Sequence, residues 1–79
     1  MIAEADLVAA IQGGIESIEA VLAQAEAEKD DAVWRLTADE LPDGVARLTE
    51  LEVLDSWAEI DMRIAKPRMK LATLRASLR

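Results

Sequence analysis

The chain has 79 residues, no Cys, His, Tyr or Phe, and 9 basic against 16 acidic residues, for a net charge of −7. That length holds one domain, and a domain of this size buries only about 60% of its unfolded surface, so small helical proteins commonly gain stability by oligomerising. Without His, Cys or Tyr, acid-base chemistry would fall to carboxylates and lysines, and the hydroxyls of Ser17, Ser56, Ser77, Thr37, Thr49 and Thr73 have no imidazole to activate them.

No phosphate-cradling glycine loop, HExxH or Glu-x-x-His pair occurs, so the sequence predicts no catalytic residue, no cofactor and no metal site. The stretch from Met1 to Asp6 is acidic where a secretory signal is basic. No uncharged run approaches the ~20 residues that span a bilayer. A cytoplasmic protein without a membrane span is the expectation. Abundant Ala and an excess of Arg over Lys suggest a GC-rich bacterial or phage source, a compositional association only.

The first element is the clearest. Val8, Ile11, Ile15, Ile18, Leu22, Ala25, Lys29, Ala32 and Leu36 recur at steps of three and four, which only a helix turns into one stripe. The spacing predicts an amphipathic helix over about 3–36. Gly13-Gly14 falls inside it, each Gly costing about 1 kcal/mol relative to Ala. No Ser, Thr, Asp or Asn stands just before Ile15 to cap a restart, so a continuous, weakened helix is expected. Lys29 lies in the stripe and is read as setting register or snorkelling, not as a catalytic lysine. Trp34 falls outside the stripe on the solvent side, where the indole is either a candidate partner contact or covered by the adjacent turn.

The reversal is predicted over 37–44, where Pro42 cannot donate a backbone hydrogen bond and Asp43-Gly44 is a turn pair. Thr37-Ala38-Asp39-Glu40 matches a capping box and predicts a single helical turn within the loop. Asp39, Glu40 and Asp43 do not have the spacing of an EF-hand loop and are read as solvating the turn.

A second helix is expected over about 45–66, with two apolar faces roughly 150° apart at 3.6 residues per turn. One comprises Leu48, Leu51, Ala58, Met62, Ala65, Met69 and Ala72; the other Val53, Trp57, Ile60, Ile64, Leu71, Leu74 and Leu78. A single helix cannot cover both. The expectation is that the first face packs on helix one, while Val53, Trp57, Ile60, Ile64, Leu71, Leu74 and Leu78, with Trp34, form the interface of a homo-oligomer. Pro67 implies either a kink or a short third helix over 67–79.

Charge is divided along the chain. Up to Asp61 there are three basic residues against all 16 acidic ones, whereas Arg63, Lys66, Arg68, Lys70, Arg75 and Arg79 follow with no acid. An antiparallel tail would bring these cations beside Glu4, Asp6, Glu16 and Glu19.

The sequence therefore predicts an all-α protein. It is a single domain over 1–79, an antiparallel, coiled-coil-like helical hairpin with a kink or short third helix after Pro67, assembled into a multi-helix homo-oligomer. The favoured function is a non-catalytic interaction or assembly subunit that binds another protein as well as itself. Two alternatives are an acidic inhibitor that mimics nucleic acid to a basic target protein, and a nucleic-acid or membrane-surface binder acting through the basic tail.

Overall fold

The computed structural model describes residues 3–78 as two long α-helices, α1 (Glu4–Thr37, 34 residues) and α2 (Glu50–Ser77, 28 residues), with no strand among the described residues. The helices pack against each other antiparallel in a rod of 57 × 21 × 17 Å. Glu4 and Asp6 occupy the first turn of α1 and Arg35 the last, both favourable to the helix dipole.

α1 runs through Gly13 and Gly14 without interruption. The two glycines sit in different surroundings. A Cβ on Gly13 would meet nothing within 4 Å, whereas one on Gly14 would come 3.2 Å from Leu74 Cδ1. Only the second marks a close approach of α2.

The loop over 38–49 is longer than the sequence suggests. The turn lies where Pro42-Asp43-Gly44 places it: Val45 N–H donates to the Pro42 carbonyl at 3.1 Å, and Gly44 has φ +85°, which a residue with a Cβ rarely adopts. The residues expected to open helix two at 45 stay extended because their backbone is engaged elsewhere. Leu48 N–H donates to the Arg35 carbonyl at 3.2 Å, and the Ala46 carbonyl accepts from Arg35 Nε at 2.9 Å. The single helical turn expected at Thr37-Ala38-Asp39-Glu40 does not form. Thr37 ends α1 with its hydroxyl donating back to Val33, and the Arg47 guanidinium takes the carbonyls of Leu36 (3.0 Å) and Ala38 (2.6 Å). Arg47 thereby satisfies acceptors left over at the α1 C-terminus.

α2 begins at a complete capping box. Thr49 Oγ1 accepts from Glu52 N–H at 3.2 Å, and Glu52 Oε1 accepts from Thr49 N–H at 3.1 Å. The helix then continues to Ser77 with Pro67 inside it, so no separate third helix follows Pro67. Proline leaves the carbonyl of residue 63 without its usual donor. The helix persists because Ile64 and Leu71, one turn on either side, are both buried against α1.

The faces of α2 are the reverse of the expected arrangement. Val53, Ile60, Ile64 and Leu71 are the buried residues of α2, and Ile60 and Ile64 cluster with Ala25 of α1, with Leu22 packed against them. The physical reason is volume. α1 presents Ala25 and Ala32 at the contact, which lets the helices come close only if the bulky side chains fill the remaining space. Turning Ala58, Ala65 and Ala72 inward would bury far less apolar surface and leave three β-branched side chains in water.

Candidate interaction surface

With the bulky face spent inside the hairpin, the thinner apolar face of α2 is left outside. Leu51, Leu54, Met62 and Met69 are 67, 65, 80 and 73% exposed. Ala58, Ala65, Ala72 and Ala76 are exposed between and beyond them. These eight residues follow one another at steps of three and four, so they form a single seam along the helix with no charged residue in it. From Leu51 to Ala76 the seam runs about 38 Å at 1.5 Å per residue.

Charges flank the seam in a split pattern. On one side, Asp55 and Glu59 occupy the N-terminal half and Lys66 and Lys70 the C-terminal half, at helical spacing. On the other, Asp61 precedes Arg68 by two turns. Two of the tail cations pair with α1: Arg75 with Glu19 at 3.5 Å, as the sequence implies, and Arg63 with Glu28, which lies outside the expected set. Lys66, Arg68 and Lys70 form no ion pair among the described residues.

The residues expected at an oligomer interface are thus distributed as follows. Val53, Ile60, Ile64 and Leu71 are covered by α1 of the same chain. Trp57 is half-buried, its Nε1–H donating to the Lys29 carbonyl at 3.2 Å, and Leu74 is half-buried beside Gly14. Leu78 is exposed at the end of the same line. The structure brings these seven together on one face, as their spacing implies, but that face is interior. Trp34 does not join them; it is 43% exposed, on the side of α1 turned away from α2.

Most of the exposed seam belongs to the face expected in the core, and Leu54 and Ala76 extend it. The missed signal is side-chain size. Of two faces competing for an Ala-bearing partner, the one richer in Ile, Val and Trp buries more area per turn.

One polar constellation lies inside the hairpin. Lys29, only 9% exposed, places its Nζ 2.5 Å from Asp61 Oδ1 and 5.0 Å from the centroid of the Trp57 ring. Asp61 is held below the ordinary carboxylate range, first by the hydrogen bond from Lys29, with the charges of Lys29 and Arg68 adding to it and partial desolvation opposing. The ammonium is paired, and no buried side-chain nitrogen or oxygen among the described residues lacks a partner.

A groove of about 440 Å³ runs between the helices past Glu28, Asp31, Arg35, Glu59 and Arg63. It is lined by charges of both signs. No helix among the described residues is long and apolar enough to cross a membrane. The chain matches no family model, no curated protein and no solved structure.

Proposed function

We propose that this protein is a non-catalytic helix-packing module, an interaction or assembly subunit whose working surface is the outer seam of α2. The observation that carries this reading is the seam itself: four large apolar side chains, each about two-thirds exposed or more, in one line uninterrupted by charge. Contiguous apolar patches beyond a few hundred Å² are uncommon on soluble monomers and mark surfaces that are covered in use. The Met content suits such a role, because the flexible, polarisable thioether adapts to the surface it meets.

The inhibitor and tail-binding alternatives rest on charge alone. Two of the six tail cations are engaged with Glu19 and Glu28, which lowers the positive charge free to meet phosphate or lipid.

A tagged chain in an extract of its own host tests the reading by size. The wild type is expected in an assembly larger than its own 8.6 kDa mass, and the double variant Met62→Glu, Met69→Glu is expected to leave that assembly while keeping its helicity. Elution of the wild type at monomer size in extract and in pure form alike would refute it.

A further inference from the structure

Resting on that reading, we infer that the seam of α2 is a two-fold interface on which a second copy of this chain packs with its own α2 antiparallel. Two independent patterns share one centre to within a residue, between residues 63 and 64. The first is size. Reversing α2 about that point sets Leu51 against Ala76 of the second copy, Ala58 against Met69, and Met62 against Ala65, while Leu54 falls opposite Ala72 to within one residue. Every layer then pairs one large side chain with one alanine, so the two helices keep an even, close separation along the whole contact. A parallel arrangement would stack Leu on Leu and Met on Met with alanine gaps between, a contact too wide in some layers and empty in others.

The second pattern is charge. The same reversal places Asp55 and Glu59 of one copy beside Lys70 and Lys66 of the other, and Asp61 near Arg68. A parallel pair would set acid on acid in one half and base on base in the other, an arrangement disfavoured electrostatically. The acidic and basic halves that flank the seam are thereby given a structural use: they select orientation and partner. A closed two-fold dimer also covers the seam on both chains at once and leaves no second copy of it to recruit further molecules.

The footprint, about 38 Å by the ~10 Å width of a helix, lies at the small end of specific interfaces. The dimer is accordingly expected to be a weak, dissociating one, sought between roughly 10 µM and 1 mM, a span of about 2.7 kcal/mol in association free energy.

The natural chain has no Cys, so single cysteines report geometry cleanly. Leu51 and Ala76 are both exposed, and replacing them leaves the hairpin core untouched. An equimolar mixture of Leu51→Cys and Ala76→Cys, mildly oxidised, is expected to give the mixed disulfide dimer, with little cross-linking of either variant alone. Sedimentation equilibrium of the wild type is expected to show a monomer-dimer equilibrium. Met62→Glu should weaken it by about tenfold or more, since a charge is then set against an alanine within an apolar contact.

Leu51→Cys cross-linking by itself as readily as the mixture would overturn the antiparallel geometry. A mass above the dimer would overturn the closed two-fold. A pure chain that stays monomeric throughout that range, up to about 1 mM, would overturn the self-association altogether. If that chain still enters a larger assembly in extract, the seam serves a different protein and the functional reading above stands without this one.

Discussion

The ammonium of Lys29 donates to the carboxylate of Asp61 across the helix pair, a hydrogen bond of 2.5 Å between residues 32 positions apart in the chain. It ties Lys29, the one buried charged residue among the described residues, to a carboxylate that is half-exposed. Sliding either helix by one turn would leave the ammonium among apolar side chains, so the pair fixes register more than it adds stability.

Because Asp61 has a lower pKa folded than unfolded, its contribution is complete above the unfolded value of about 4 and is lost as pH falls through the folded value. Asp61→Asn is therefore expected to be less stable than the wild type at neutral pH, with the difference closing only below about pH 4. Urea unfolding midpoints of both proteins across the acid range measure this. A gap that is the same at every pH would show that the carboxylate charge is not what Lys29 uses.

The assignment of the two faces of α2 is open to direct comparison. Ile64 is fully buried and Met62 is exposed, although they are two residues apart. Ile64→Ala should cost about 2–4 kcal/mol, a large share of the roughly 4–12 kcal/mol expected of a 79-residue domain. Met62→Ala should stay within ~0.5 kcal/mol in dilute solution. Denaturant titrations at low micromolar concentration separate the two, and a costlier Met62 change would mean that the faces are exchanged.

Periodicity made both long helices legible, because a stripe at three-and-four spacing has no other physical reading. Their antiparallel packing followed from the short Pro-Asp-Gly connection. What the pattern could not decide was which of two apolar faces on α2 turns inward. Val53, Ile60 and Ile64 go inside through their volume against Ala25 and Ala32, a property of the pair of helices and not of either alone. The start of α2 is legible: Thr49 and Glu52 have the spacing of a capping box, the same pattern that Thr37 and Glu40 present. Only the former has backbone free to join a helix, since Arg47 holds the carbonyls that follow Thr37.

The two adjacent glycines should respond differently to alanine. Gly13→Ala gains helix propensity and meets nothing, so a stabilisation of about 0.5–1 kcal/mol is expected. Gly14→Ala gains the same propensity but must push Leu74 Cδ1, the far end of a flexible side chain, by a few tenths of an ångström, so its net gain should be smaller. Thermal unfolding of the two single variants checks the order. A larger gain at Gly14 would mean that α2 does not approach there.

Loss of the α2 cap should be local. Thr49→Ala removes the acceptor for Glu52 N–H, with a cost of about 1 kcal/mol. Hydrogen exchange should accelerate most at the first turn of α2 and little near Leu71. Uniform acceleration along the helix would show that the cap governs the whole fold and not its end.

The contacts that join the two halves of the hairpin form a ladder ordered by distance along the chain. Arg47 reaches Leu36 across 11 positions, Trp57 reaches Lys29 across 28, Arg63 reaches Glu28 across 35, and Arg75 reaches Glu19 across 56. Each rung, once made, shortens the loop that the next must close, so the entropy of closure is spent in small instalments starting from the Arg47 clamp. The molecule should therefore assemble like a zip whose slider starts at the loop. It should also come apart from the other end, where Gly14 and Leu74 meet, long before the loop lets go.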